Sequence, residues 1–156
     1  METLAILSTI LKKKQMTIST AESCTGGLLA AALTNIPGSS EYFGLGLVTY
    51  SNLSKVQLLG VNETTIEKYG AVSEKTAEEM AMGAKKLAKS DIGIAITGVA
   101  GPGGGTEEKP VGLVYVAVAK DNNIFVLKNN FEGDRNTIRK KTVIAAVEYL
   151  VSIINN

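Results

Sequence analysis

Histidine and tryptophan are absent from this chain of 156 residues, and cysteine occurs once, as Cys24. Without histidine, the chain cannot form a Ser-His-Asp or Cys-His catalytic arrangement, or a histidine-ligated metal site, from its own residues. A hydrolase with this sequence would use lysine, tyrosine or a carboxylate as its base. A single cysteine cannot form an internal disulfide, so we expect a protein of a reducing compartment, the cytoplasm.

Aromatic residues are also few, with three Phe and five Tyr, and the formal net charge is only +1. These values argue against a stacking platform for single strands and against electrostatic binding of nucleic acid or an anionic membrane. We find no signal peptide and no apolar run of membrane-spanning length. With 45% hydrophobic residues, the chain can bury one full core. We therefore expect one globular domain over residues 1–156 with a small-molecule partner, and neither nucleic acid nor membrane.

Helical patterns alternate with apolar strands along the chain. The predicted helices span 3–14, 53–59, 63–69, 74–89 and 135 to about 153, with a further helix from about residue 28. Their predicted caps are Ser51 or Asn52, Asn62 and Asp134. Residues 16–20 have the alternation of a half-buried strand, 43–50 and 91–97 are apolar enough for buried strands, and 111–119 and 124–131 form an antiparallel pair. The expected fold class is α/β, a single three-layer α/β/α domain with a mixed β-sheet.

The first strand ends in a corner that carries hydroxyl and thiol groups, Ser23 and Cys24, followed by Gly26 and Gly27. The first amides of a helix have no partner within it, and glycines let a ligand approach the backbone closely. An anionic group or a developing oxyanion could bind there. The alternative is an ordinary helix cap, in which the Ser23 or Thr25 hydroxyl accepts a hydrogen bond from an amide.

Three loops that follow strands offer candidate ligand contacts: 23–27, 50–52 and the glycine-rich segment 97–106. Ligand sites of open α/β sheets lie where strands end, so these loops are expected to share one crevice. The glycine-rich segment does not match the phosphate-loop or dinucleotide-binding patterns. It is therefore either purely structural or a set of amides around a phosphate.

Two residues compete as nucleophile, Ser23 and Cys24, and Lys55 is the lysine that the sequence places best to act as base. Cys24 would need a lysine or helix amides to lower its pKa, and it is otherwise a small packed residue. A desolvated lysine can activate a serine. Glu22 is a further candidate base or substrate contact, although a structural hydrogen bond is the simpler expectation.

The only arginines, Arg135 and Arg139, are four residues apart and share one face of the last predicted helix. Two forked donors beside unpaired helix amides suit a phosphate or a carboxylate. The alternative is a surface pair whose charge is offset by Asp134 or Glu132.

Several motifs together resemble one family, and the resemblance runs in order from about the first helix to the last. The motifs are Thr20-Ala21-Glu22-Ser23-Cys24-Thr25-Gly26-Gly27, Val48-Thr49-Tyr50-Ser51-Asn52 with Lys55, Leu59-Gly60-Val61, Gly70-Ala71-Val72-Ser73, Thr97-Gly98-Val99-Ala100-Gly101-Pro102-Gly103-Gly104, Glu108-Lys109-Pro110-Val111-Gly112 and Gly133-Asp134-Arg135 with Arg139. The chain is therefore similar to the CinA C-terminal domain family, whose standalone members include nicotinamide mononucleotide deamidases.

This resemblance implies an amidohydrolase that converts nicotinamide mononucleotide to nicotinate mononucleotide and ammonia in pyridine nucleotide salvage. It implies Ser23 as nucleophile, Lys55 as general base and Tyr50 close to the reacting groups, with no metal and no organic cofactor. The expected substrate-binding residues are Glu22, Thr25, Gly26, Thr97, Gly98, Gly101, Arg135 and Arg139. We also expect a homo-oligomer, a dimer or higher.

Two alternatives remain open at this point. One is a non-catalytic module that binds a nucleotide or a protein through the same loops, and the other is an amidase for a different small amide. Ser23, Tyr50 and Lys55 are all present, which favours an enzyme.

Overall fold

A computed structural model describes residues 2–156 as six α-helices, one short 3-10 helix and five strands. In chain order these are α1 (Glu2–Lys14), β1 (Ile18–Glu22), α2 (Leu28–Thr34), the 3-10 helix (Ser39–Glu41), β2 (Phe43–Val48), α3 (Asn52–Leu59), α4 (Glu63–Tyr69), α5 (Glu74–Ala88), β3 (Ile92–Gly98), β4 (Leu113–Lys120), β5 (Asn123–Asn130) and α6 (Arg135–Asn155). Within residues 2–156, every helix is too short or too polar to cross a membrane.

The five strands form one mixed sheet in the order β2-β1-β3-β4-β5. The strands β1, β2 and β3 run parallel, whereas β4 is antiparallel to both β3 and β5. The strand β5 therefore runs in the same direction as β1, β2 and β3. As a result, the carboxyl ends of these four strands lie at one edge of the sheet, and the loops that follow them meet there.

The two faces of the sheet carry side chains of different size. On one face, Ile94, Val116 and their neighbours in β3 and β4 pack with α1, α2 and α6. On the other face, Ala95 and Ala117 pack with α5. A Cβ at Gly93 would lie 2.2 Å from a backbone oxygen of α5, so only glycine allows this helix to approach so closely. The predicted three-layer α/β/α architecture with a mixed sheet is confirmed.

The burial predicted for the first two strands is wrong in both cases. All five residues of β1 are buried, because this strand lies between β2 and β3 and is covered by helices on both faces. The strand β2 was expected to be buried, but it is an edge strand whose residues alternate between half-buried and exposed. Composition shows how apolar a strand is, whereas its place in the sheet decides how much of it is covered.

The predicted helix caps are confirmed at two of three helices. The Ser51 hydroxyl accepts a hydrogen bond from the Ser54 amide, and the Asp134 carboxylate accepts one from the Thr137 amide. Asn62 precedes α4, but its side chain makes no capping bond; it donates to Glu79 on α5 instead. The capped start of α6 matters for the site, because it fixes the positions of Arg135, the first residue of the helix, and of Arg139, one turn later.

Candidate active site

The loops at the carboxyl edge of the sheet enclose a cavity of about 220 Å³, which we call the Ser23 cavity. Its lining residues come from five segments of the chain: Ser23, Cys24, Tyr50, Lys55, Ala71, Val72, Thr97, Gly98, Ala100 and Arg135. The three loops expected to share a crevice thus do so, together with the loop between α4 and α5 and the first residue of α6. Neither aspartate nor glutamate is among the lining residues, although Lys55 and Arg135 are.

A direct contact between Ser23 and Lys55 lies at the centre of this cavity. The Lys55 Nζ atom is 3.1 Å from Ser23 Oγ, 2.7 Å from the Thr49 carbonyl oxygen and 3.2 Å from the Tyr50 carbonyl oxygen. The Lys55 residue is only 1% exposed. None of the ion pairs found within residues 2–156 involves it. The helix α3 therefore carries a lysine that is buried with three oxygen atoms and no counter-charge.

This environment favours the neutral amine of Lys55. Burial is the main cause that lowers its pKa, from the usual 10.5 to about 8, because desolvation disfavours the ammonium. A neutral amine has two N–H donors and one lone pair. The two carbonyl oxygens can accept those donors, and the lone pair is then available to the Ser23 hydroxyl. The geometry brings a serine hydroxyl within hydrogen-bond distance of a lysine amine whose pKa is lowered.

The alternative nucleophile, Cys24, is in an environment that keeps it protonated. Its side chain packs in the core cluster on the α2 and α6 side of the sheet and is 5% exposed. Burial raises the pKa of the thiol to about 11, although the positive charge of Arg139 opposes this shift. Because the thiolate is the reactive form of cysteine, these surroundings favour Ser23 over Cys24.

If Ser23 is the nucleophile of a reaction at this site, we expect Cys24→Ala to retain kcat within about fivefold of the wild type, because at pH 8 only about a thousandth of a thiol with this pKa is ionised. The free energy of unfolding should fall by about 1 kcal/mol from the small cavity left behind. Steady-state kinetics and urea unfolding measure the two effects. A loss of activity as large as that of Ser23→Ala would make Cys24 the nucleophile.

Glu22 binds the first amides of α2 behind the corner and does not line the cavity. Its carboxylate oxygens accept hydrogen bonds from the Leu29 and Ala30 amides at 2.9 and 3.0 Å, and the residue is fully buried. The prediction that Ser23 or Thr25 caps α2 is wrong: the helix begins after Gly27 without a side-chain cap, and Glu22 serves its first amides. Glu22 thus makes the structural hydrogen bonds that were the simpler expectation, and it does not line the cavity; a contact with substrate stays a prediction.

Arg135 lies at the mouth of the cavity. Its Nη1 donates to the Gly101 carbonyl oxygen at 2.6 Å, and its Nη2 donates to the Tyr50 hydroxyl at 3.0 Å. Gly101 thus contributes a backbone oxygen that holds Arg135 and is not itself a lining residue. The guanidinium carries five N–H donors, so three remain for a ligand. Arg135 is therefore placed to meet an anionic group at the entrance.

Arg139, one helical turn later, faces the corner instead of the cavity. Its Nε donates to the Cys24 carbonyl oxygen at 3.0 Å and its Nη2 to the Thr25 carbonyl oxygen at 3.1 Å. Gly26 lies against this guanidinium, and Thr25 is fully buried with a hydroxyl that has no hydrogen-bond partner among residues 2–156. Arg139, Gly26 and Thr25 were expected to bind substrate, but none of them lines the cavity, because Arg139 and the backbone of the corner contact each other instead.

Two other predicted contacts, Thr97 and Gly98, do line the cavity at the end of β3. The Thr97 hydroxyl donates to the Ala71 carbonyl oxygen at 2.8 Å and so connects the strand to the loop after α4. Three lining residues were not singled out as site residues from the sequence: Ala71, Val72 and Ala100. Small apolar residues carry no chemical signal of their own. Ala100 follows β3, so its place in a strand-end loop could have suggested it, but Ala71 and Val72 lie between two helices and gave no such signal.

Similarity to known proteins covers nearly the whole chain. A family model described as the CinA C-terminal domain matches residues 2–154. The crystal structure of the competence/damage inducible protein CihA from Agrobacterium tumefaciens is 43% identical, with a TM-score of 0.96 over 99% of this chain and 94% of that one. A CinA superfamily protein from Escherichia coli is 38% identical, with a TM-score of 0.94 over 97% of this chain and 88% of that one.

Longer relatives contain the same region as one part of their sequence. A Clostridium acetobutylicum protein, named as competence-damage inducible, is 53% identical over 145 residues. That alignment covers 93% of this chain but 35% of the relative, so the chain spans about a third of the length of such relatives.

Proposed function

This chain belongs to the CinA C-terminal domain family, and from this membership and the contact between Ser23 and Lys55 we propose that it is a nicotinamide-nucleotide amidase. The reaction is hydrolysis of nicotinamide mononucleotide to nicotinate mononucleotide and ammonia. The observation that carries the proposal is the buried Lys55 amine, 3.1 Å from Ser23 Oγ and without an acidic partner.

The first half of the reaction transfers an acyl group to the serine. Ser23 Oγ attacks the carboxamide carbon while its proton passes to the neutral Lys55 amine, which gives a tetrahedral oxyanion. The resulting Lys55 ammonium then protonates the amide nitrogen, the C–N bond breaks, and ammonia leaves. The product is an ester between Ser23 and the nicotinoyl group.

The second half uses the same two residues. A water molecule gives a proton to Lys55 and attacks the ester carbon, and Lys55 returns a proton to Ser23 Oγ as the ester bond breaks. The pKa of about 8 suits both roles, because the amine must accept and release a proton in each turnover near neutral pH.

The lining of the cavity supports a ligand with an apolar ring and an anionic tail. Ala71, Val72 and Ala100 form an apolar wall, and Arg135 lies at the entrance with three free donors. A cavity of about 220 Å³ accommodates the ring and the carboxamide, and the phosphate of the mononucleotide would then lie at Arg135. Bidentate binding of phosphate by a guanidinium is strong and directional.

A binding module without catalysis is the weaker proposal. Desolvation of a lysine destabilises the fold, and a module that only bound an anion would keep its cation charged and solvated. The arrangement around Lys55 instead lowers the pKa of the amine to about 8, so that it can give up its proton near neutral pH, which suits a base better than an anion-binding cation.

The test is release of ammonia and nicotinate mononucleotide from nicotinamide mononucleotide by the purified chain, in the presence of a chelator. We expect turnover of the mononucleotide, with lower kcat/KM for nicotinamide riboside and for nicotinamide, because these lack the phosphate. Turnover of a different amide at higher kcat/KM would support an amidase but assign it a different substrate. Nucleotide binding without turnover of any amide would make the chain a binding module.

A further inference from the structure

The two backbone amides that directly follow Ser23, in the corner between β1 and α2, have no partner among residues 2–156. The Ser23 amide donates to the Ile96 carbonyl oxygen at 3.0 Å, and the Gly26 amide donates to the Ser23 carbonyl oxygen at 3.1 Å. Between them, the Cys24 and Thr25 amides donate to no other residue among residues 2–156. The amide that follows a nucleophilic serine is a usual oxyanion donor in hydrolases.

The carbonyl groups of the same corner are held by Arg139. Its forked guanidinium donates to the Cys24 and Thr25 carbonyl oxygens, across 115 and 114 residues of sequence. Arg135 on the same helix takes no part in this contact, since its donors go to Gly101 and Tyr50. The two arginines thus have different tasks: one faces the entrance of the cavity and the other faces the backbone behind Ser23.

This contact fixes the direction of one of the two free amides, that of Thr25. In a trans peptide the C=O of one residue and the N–H of the next point in opposite directions. For the Thr25–Gly26 peptide, the oxygen points to Arg139 and the N–H to the Ser23 carbonyl. The Cys24–Thr25 peptide has its oxygen on the same guanidinium. Its N–H, which belongs to Thr25, therefore also points away from Arg139, whereas the other free N–H belongs to Cys24, the residue that lines the cavity beside Ser23.

We propose that Arg139 is a positioning residue that fixes the backbone after Ser23 through the Cys24 and Thr25 carbonyl groups, so that the free amide of Cys24, which lines the cavity, stabilises the oxyanion formed when Ser23 attacks the substrate. This role rests on the proposed amidase function. A permanently charged planar fork holds two successive carbonyl groups with separate donors in a rigid geometry, which the single ammonium on the flexible stem of a lysine at this position does not reproduce. Gly26 contributes to the same contact, because a Cβ at this position would lie 3.2 Å from Arg139 Nη2 and crowd the guanidinium.

The test compares Arg139→Lys and Arg139→Met with the wild type and with Lys140→Met, which removes a charge from the exposed neighbouring position. We expect kcat to fall by about 10- to 100-fold in both Arg139 variants, because misoriented oxyanion donors cost somewhat less than the loss of one. Because no ground-state contact with substrate is removed, KM should stay within about threefold. Lys140→Met should match the wild type in both constants.

Titration of the Ser23 hydroxyl distinguishes a positioning role of Arg139 from a role in the stability of the fold alone. Phenylmethylsulfonyl fluoride forms an O–S bond with an activated serine and releases fluoride, and mass spectrometry at completion gives the fraction of molecules with a competent Ser23. We expect the low kcat of Arg139→Lys to persist per titrated site. A kcat per site equal to that of the wild type would overturn the role of Arg139. A wild type that is titrated at Ser23 but hydrolyses no amide would overturn the amidase proposal, and this role with it.

Discussion

Ser23→Ala is expected to lower kcat for nicotinamide mononucleotide by about 10⁵-fold or more, the usual cost of removing a catalytic nucleophile. The only hydrogen bond that the Ser23 hydroxyl makes within residues 2–156 is with Lys55. Its removal should therefore leave the fold intact, with the free energy of unfolding changed by at most about 1 kcal/mol. Steady-state kinetics and urea unfolding measure the two effects on the same preparation.

The control for this variant is Ser152→Ala, at an exposed serine of α6 that hydrogen-bonds only within its own helix. It should keep wild-type kcat and a single sulfonyl adduct, whereas Ser23→Ala should carry none. Residual turnover of Ser23→Ala within 100-fold of the wild type would exclude Ser23 as the nucleophile.

Lys55→Met is expected to lower kcat/KM by about 10⁴-fold, because the variant keeps the shape of the side chain but has no group to accept the serine proton. Lys13→Met, at an exposed lysine near the end of α1, removes the same formal charge far from the cavity and should match the wild type. Turnover of Lys55→Met near the wild-type rate would remove Lys55 as the base.

The pH profile of the wild type tests the same assignment without a mutation. Below pH 8 most Lys55 side chains are protonated, since the pKa of the buried amine is about 8. The reaction requires the neutral amine, so log kcat/KM should rise with a slope near one up to about pH 8 and then level off. A profile that is flat from pH 6 to 9 would contradict the neutral-lysine mechanism.

The pH dependence of the free energy of unfolding should reveal the titration of Lys55 independently of catalysis. The folded-state pKa of Lys55 is about 8 and the usual value is 10.5, so between these values the unfolded chain binds a proton that the folded chain does not. The free energy of unfolding of the wild type, minus that of Lys55→Met, should therefore rise by about 3 kcal/mol as the pH increases across this window. Urea unfolding at several pH values measures the difference, and a constant difference would contradict a buried neutral lysine.

Local patterns were sufficient for most of the fold. The alternation of helices and apolar strands predicted the three layers and the mixed sheet, and the apolar run over residues 91–97 identified the central strand β3. The same patterns misjudged β1 and β2, because an edge strand and a central strand can have similar composition. Their order in the sheet depends on pairing between distant segments, which no single segment encodes.

The site shows the same division between local and distant information. Sequence identified Ser23, Tyr50, Lys55, Thr97, Gly98 and Arg135 as site residues, and all six line the cavity. It also grouped Glu22 and Arg139 with the substrate contacts, because a carboxylate and a guanidinium near a glycine-rich corner suit either a ligand or the backbone. Their partners, the α2 amides and the Cys24 and Thr25 carbonyl groups, become apparent only when the corner and α6 are folded together.

The sequence by itself determined the chemistry that this chain can offer: no histidine, one cysteine, and a serine, a lysine and two arginines in strand-end and helix-start positions. Tertiary structure decided which of these groups meet. Ser23 and Lys55 are 32 residues apart along the chain, yet the parallel strands β1 and β2 end side by side and bring them within 3.1 Å. Tertiary structure also decided the pKa of Lys55, because this pKa depends on burial, and burial depends on every element that packs around the side chain.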